Sequence, residues 1–332
     1  MKIRLTSFFF FASICLAPGQ PPAPDHDAIY RAEIIYRSKK DLETAIPWYR
    51  TAFDGPFTDV SKIFQALDCA TQTGDTLAAV QFMEKGLELG LTSEDYRRNW
   101  SRIGNSMPLE SVATKCDSLT PLRTYRQQLN PELIAQLQRM SDRDQEFRSE
   151  EPENWELQRQ NDSLNWQELQ SIVGRLGRLP SYAELGLEGY DNLELLFYHM
   201  DREPLASFLP YVLEGIAQGG SNLAHVILYQ LDRIGMSEGR IYTIDREGKI
   251  EDLGARTILK NGYPCQTFGE WFHERSPLDG KTYRTPLDPN LDTKEVDRVR
   301  RLFGLDDMDS KKKREPWVLN VPAEEFEEKI QG

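Results

Sequence analysis

The sequence predicts a mainly α protein: an N-terminal helical-repeat solenoid, then a mostly helical C-terminal domain carrying a small β-hairpin. Three observations predict it. Small and apolar residues recur at a 34-residue spacing through the first third of the chain. Helical patterns with capping residues then follow one another to about residue 234. After Gly239 the texture changes to β-branched and aromatic residues around a glycine turn. The 332 residues suit about two domains. The expected organisation is a signal peptide over 1–19, a linker over 20–26, repeats over 27–118, a helical domain over 119–308 and a charged tail over 309–332.

Composition narrows the function classes. Forty basic against 53 acidic residues leave a net charge of −13, which opposes general nucleic-acid binding because phosphates need a basic face. A mean hydropathy of −0.57 predicts no integral membrane span. Six Trp, 13 Tyr and 15 Phe supply enough apolar surface to offset chain entropy.

The first residues suggest an address. Lys2 and Arg4 precede an apolar stretch over 8–17, and Ala17 and Gly19 supply the small residues a signal peptidase reads. Ten residues rise only ~15 Å as helix, about half the bilayer core. Cleavage near Gly19 and export to the periplasm or beyond are expected. Acylation at Cys15, a lipoprotein route, is the alternative, and Ile14 before it is larger than that route favours. Cleavage leaves Cys69, Cys116 and Cys265, an odd number without CxxC or Cys/His spacing, so no zinc site, other metal or cofactor is expected. Three buried thiols, or one bridge between Cys69 and Cys116, remain open.

In the first third, Ile29, Ala32 and Tyr36 mark one helix, and Ala45, Tyr49 and Ala52 the next. A shift of 34 gives Ile63, Ala66 and Ala70, then Ala79, Met83 and Gly86. The stretches over 74–79 and 84–89 resemble the turn and second helix of a tetratricopeptide repeat, whose own period is 34 residues. A third unit ending near Ala113 is degenerate, with Trp100 at a small site. Two clear repeats cannot stand alone, so the third unit or the following domain must cap them. That resemblance implies a groove for a protein or peptide partner.

Further on, Asn130 and Pro131 open a helix with Leu133, Leu137 and Met140 on one stripe. A second helix carries Leu157, Leu164, Leu169 and Ile172 and ends between Gly174 and Pro180. Residues 190–201, 204–217 and 222–234 are three more helices. A hairpin spans 240–250, residues 254–284 read as irregular, and 293–303 form a last amphipathic helix. Lys311 to Arg314 and the Glu-rich end read as a solvated tail.

Short motifs recur in order from about 130 to 308. They are Asp144-Gln145 with Arg148, Asn161-Asp162 with Asn165, Gly177, Pro180, and His199-Met200-Asp201. Then come Leu231-Asp232-Arg233, Gln266-Thr267-Phe268-Gly269, and Val296-Asp297-Arg298 with Arg300, Arg301, Gly304 and Leu305. In this order they resemble an uncharacterised bacterial domain family, known only as a domain of unknown function. The resemblance covers a little over half the chain and implies a mainly helical fold behind a signal peptide or repeats. It supplies candidate residues but no reaction. Where that family carries a tyrosine, this chain has Phe268, and Glu270 and Trp271 stand in place of Thr and Gln. Extra residues surround the hairpin at 240–260.

His199 and Asp201, two apart, point about 200° from each other on a helix. His199 is therefore expected to meet Asp232 or Arg300 across a helix interface. There it would serve as general base, with Arg233 or Arg301 holding an anion and Gln266 orienting a carbonyl or water. The competing expectation is a structural network of the same side chains. His225 has no ligand spacing to His199. GxSxG, HExxH, Walker and GxGxxG patterns are absent from the sequence. The expected function is an exported interaction scaffold of the cell envelope. The alternative is a hydrolase-like envelope enzyme with its site at His199, Asp232, Arg233, Gln266 and Arg300.

Overall fold

The computed structural model describes residues 26–55, 59–92, 95–96, 120–148, 154–219, 221, 223–245, 247–260, 264–269, 273–315, 317–321 and 323–330. The expected signal peptide, the third repeat unit and Cys116 lie outside the described residues. The protein is mainly helical with a small two-stranded hairpin, as its sequence predicts. No described helix is long and apolar enough to cross a membrane.

Two helical hairpins come first. Helix α1 (His26–Ile34) continues through a π-helical turn (Ile35–Lys39) and packs on α2 (Leu42–Phe53). Helices α3 (Val60–Thr73) and α4 (Thr76–Glu88) form the second pair. Each of α2, α3 and α4 starts where an aspartate, Asp41, Asp59 or Asp75, accepts a backbone N–H of the first turn. The starts of α1 and α3, residues 26 and 60, are 34 apart, and so are those of α2 and α4, residues 42 and 76. Ala32, Ala45, Ala52, Ala66, Ala70 and Ala79 are buried where the helices touch. Phe53 and Phe82 fill the space between pairs, edge to face at 5.4 Å.

A helical bundle follows: α5 (Thr120–Gln128), α6 (Pro131–Gln145), α7 (Trp155–Leu176), α8 (Tyr182–Tyr198), α9 (Arg202–Ala217) and α10 (Ala224–Glu238). Asn130 caps α6 through Leu133 N–H, and Asn154 caps α7 through Leu157 N–H. Helix α8 kinks at Gly186, φ +65°, where a Cβ would sit 2.2 Å from the Tyr125 hydroxyl, so only glycine fits. Of the apolar residues that the sequence puts on α7, Leu157 and Leu164 are exposed, and the inward face is Gln158, Asn161, Asn165, Leu169 and Ile172.

Gly239, at φ +65°, ends α10 and turns the chain into β1 (Arg240–Ile244), paired antiparallel with β2 (Ile250–Ala255). The stretch expected as irregular also holds β3 (His273–Arg275) and β4 (Thr282–Arg284). Strand β4 pairs in parallel with β5 (Val318–Leu319). Helices α11 (Thr293–Leu302), α12 (Met308–Arg314) and α13 (Ala323–Ile330) complete the chain.

The expectation of a solvated tail is overturned. Lys311, Arg314 and Phe326 are buried, and α12 packs on α1. The reason is charge pairing: Arg314 meets the fully buried Glu33 of α1 at 3.4 Å and Asp306 at 3.0 Å. Lys62 of α3 donates to Glu33 at 2.9 Å. Burial alone would raise the Glu33 carboxyl, but Lys62, Arg314 and Arg37 outweigh it and hold its pKa below the ordinary value. One apolar cluster runs from Ala28 to Leu305, so the two helical hairpins and the bundle share a core. Tyr182 reinforces that join by donating to the Leu89 carbonyl at 2.8 Å.

On α8, burial first, then the charges of Asp191 and Asp59, push the Glu194 carboxyl up to about 7 from 4.5. The fold therefore binds this proton more tightly than the unfolded chain, and stability falls as pH rises from about 4.5 to about 7. Glu194→Gln removes that loss. In urea titrations the variant is expected to match wild type near pH 4.5 and to exceed it by about 1–2 kcal/mol at pH 8, screening included. Equal stability at pH 8 would refute the assignment.

Candidate active-site cleft

Helix α7 meets the last turn of α6 through side-chain amides. Gln158 donates to the Asp144 carbonyl at 2.9 Å, Asn161 to the Arg143 carbonyl at 2.9 Å, and Asn165 to the Met140 carbonyl at 3.0 Å. The Asp144 carbonyl lies in the last turn, where i+4 partners run out, the Arg143 carbonyl there also accepts the Glu146 N–H, and Met140 lies a turn earlier. The three amides bond to these carbonyls and fix α6 against α7. Arg148 then bridges the two helices, paired with both oxygens of Asp162 at 2.8 and 2.9 Å and lying 3.4 Å from Asp144.

That clamp presents Asp144, almost wholly buried, to His199 at the end of α8. His199 Nδ1 lies 2.6 Å from Asp144 Oδ2. A carboxylate only accepts, so Nδ1 carries a proton, and in the neutral imidazole Nε2 then presents a lone pair. Among the described residues nothing engages Nε2. The imidazole borders a cleft of about 520 Å³, lined by α7, the α8–α9 junction and the end of α10. Arg159, Asp162, Ser163 and Trp166 come from α7, and Asp201, Arg202 and Glu203 from the start of α9. Burial is the largest cause raising the Asp162 pKa and Asp144's charge adds to it, against the hydrogen bond from Gln158 and the charge of Arg148. Among the described residues no group of three or more His, Cys, Asp or Glu side chains is placed to hold a metal ion.

The other candidates sit elsewhere. Asp232 is wholly buried. It pairs with Arg256 at 2.7 Å and accepts the backbone N–H groups of Thr267 and Phe268. Gln266 is buried and donates to the Thr285 carbonyl. Arg300, fully buried, pairs with Asp306 at 2.9 Å and donates to the Phe268 carbonyl at 2.9 Å. Arg233 donates to the Tyr198 carbonyl at 3.0 Å, and Arg301 pairs with Asp307 at 3.5 Å on the exposed side. The expectation that His199 meets Asp232 or Arg300 is therefore corrected: Asp144 holds His199, and Arg256 holds Asp232. Asp232 and Arg300 do share one residue's backbone, that of Phe268, through its N–H and its carbonyl. Asp232, Arg233, Gln266 and Arg300 are not among the residues lining the cleft around His199.

The sequence reading quoted Asp144, Arg148, Asp162 and Asn165 without joining them to His199. Their joint signal was the spacing of polar residues on α7, three and four apart, which is a helix face rather than a loop. No family model, curated protein or solved structure matches the chain.

Two substitutions separate the networks. His199→Asn keeps a donor near the Nδ1 position and removes Nε2, so its melting temperature should stay within about 2 °C of wild type. Asp232→Ala strands the buried guanidinium of Arg256 and should cost about 3–5 kcal/mol in urea unfolding. Comparable losses in both variants would show that the two networks are not separable.

Proposed function

We propose that the protein is an acid–base enzyme of hydrolase type, with His199 as general base and Asp144 as the carboxylate that orients it. One observation carries this reading: a buried carboxylate holds Nδ1 of an imidazole that lines a cleft of about 520 Å³. Asp144 selects the tautomer and stabilises the imidazolium that forms as Nε2 takes a proton from an attacking water. The same nitrogen then returns that proton to the leaving group. Arg148 and Gln145 keep Asp144 in place, Arg148 at 3.4 Å and Gln145 at 2.7 Å. They are positioning residues, as Asn165 is through the Met140 carbonyl. An address in the cell envelope after cleavage near Gly19 belongs to this reading, and a mature chain beginning at Gln20 in native material would support it.

A second reading, a scaffold whose tetratricopeptide-like repeats hold a protein or peptide partner, is favoured by the 34-residue offset between the two helical hairpins. The family resemblance of residues 130–308 is compatible with both readings.

The test uses p-nitrophenyl acetate, an activated ester that an oriented imidazole base hydrolyses. Wild type is expected to turn it over with saturation, and His199→Asn to lower the rate at least about tenfold with an unchanged melting temperature. Asp144→Asn, which no longer selects the tautomer, should lower it comparably. Equal rates in wild type and His199→Asn would overturn the enzyme reading and leave the scaffold.

A further inference from the structure

The cleft around His199 is charged unevenly. Its lining contains five carboxylates, Asp144, Asp162, Asp201, Glu203 and Glu238, against two guanidiniums, Arg159 and Arg202: a net −3 with His199 neutral. The guanidiniums are already engaged. Arg202 pairs with Glu238 at 3.2 Å and lies over the Tyr242 ring at 5.2 Å, and Arg159 pairs with Glu156 at 2.7 Å. Arg148, behind the lining, is held between Asp144 and Asp162. What remains is Asp201 and Glu203, both exposed at the mouth of the cleft. Among the described residues neither has an ion-pair partner.

Beneath this rim the lining is apolar: Trp166, Leu169, Leu196, Met200 and Ile234. The Trp166 indole N–H is a buried donor that no acceptor meets among the described residues. A buried N–H without an acceptor is costly, and a carbonyl of a bound molecule would satisfy it. Volume, apolar lining and unpaired acidic rim together describe a site for a small molecule with an apolar body and a positive head. A tryptophan in the wall adds an attractive face for such a cation.

We propose that the cleft binds organic cations, ammonium or guanidinium compounds with an apolar body, with the cation at Asp201 and Glu203 and the body on the floor around Trp166. This names the substrate class of the site assigned above and rests on that cleft being functional. Binding is measured apart from turnover, so the two can fail separately. The same chemistry occurs in a free amine and in a peptide with a basic side chain.

The probes are phenethylamine, its anionic counterpart phenylacetate, and acetyl-Phe-Lys-amide, titrated by calorimetry into the full-length protein. The His199 Cε1–H resonance, assigned by its loss in His199→Asn, reports the place of binding. Phenethylamine is expected to bind saturably and shift that resonance along the same curve. Raising sodium chloride from about 20 to 300 mM should weaken it several-fold, because the rim is open to solvent. The double variant Asp201→Asn with Glu203→Gln removes both charges and keeps the size of both side chains. It should weaken phenethylamine about fivefold to tenfold with an unchanged melting temperature. Trp166→Leu, which leaves the charges in place, should weaken it as well. Tighter binding of the dipeptide amide than of phenethylamine would assign a peptide source, and the reverse a free amine. Phenylacetate binding as well as phenethylamine, or undiminished phenethylamine binding by the double variant, overturns the proposal. If phenethylamine binds as expected while p-nitrophenyl acetate is hydrolysed equally by wild type and His199→Asn, the cleft is a binding site and the hydrolase reading alone fails.

Discussion

The fold depends on a buried chain of charges that no single element completes. It starts at Lys62 of α3 and Glu33 of α1, passes to Arg314 of α12, Asp306 and Arg300 of α11, and crosses the Phe268 backbone to Asp232 of α10 and Arg256 beyond β2. Each of these groups is too costly to bury alone. Two of the arginines, Arg300 and Arg256, have no exposed side-chain surface. A carboxylate from one end of the sequence can therefore be dehydrated only when an arginine from the other end arrives with it. Apolar packing tolerates small slides between helices, whereas these pairs do not. The first helical hairpin and helices α11 and α12 consequently belong to one cooperative body, with Lys311 and Arg314 in the interior and Lys312 and Lys313 on the exposed side.

The cleft is built by the opposite strategy. Helix α7 is polar on the part of its inward face that meets α6, and its amides bond to backbone carbonyls near the end of α6 instead of pressing on apolar side chains. Such a contact gains little from burial, but it is directional, and directionality is what an oriented imidazole needs. Arg148 and Gln145 hold Asp144, and Asp144 holds His199. The order of support runs from backbone to amide to carboxylate to imidazole, with Asp144 almost wholly buried and His199 part-exposed. The site is thus set on rigid elements with the imidazole at the cleft.

The sequence makes most helices legible because their caps and periods agree. Asn130 with Pro131, Asp75 before α4 and Gly239 after α10 are local signals with local causes. The Asp245 to Lys249 turn is another: Asp245 accepts the Glu247 and Lys249 N–H groups, and Gly248 takes φ +81°. What was illegible is pairing across sequence distance. Lys311 and Arg314 look like solvated charges unless Glu33, almost the length of the chain away, is known to face them. Leu157 and Leu164 look like core, and Asn161 and Asn165 like surface, because period alone does not say which stripe faces inward. The choice of Asp232 as the partner of His199 failed for the same reason: cost arguments show that a buried carboxylate needs a partner without saying which one.

The departure at Phe268 shows how backbone and side-chain roles part. A tyrosine is the residue of the resembled family at this position, and its loss would matter if the hydroxyl did the work. Here Phe268 acts through its backbone: its N–H reaches Asp232 and its carbonyl reaches Arg300, while the ring packs in the core with about 1% of the residue exposed. The link between the two buried charges therefore needs the loop conformation and not the ring's substituent. Gly269, at φ +73°, turns the chain immediately afterwards, and a Cβ there would lie 2.6 Å from the Met308 side chain. The Gln266–Gly269 motif is then a structural device whose conformation places the backbone of one residue between two ions. The His199 cleft shares none of these residues.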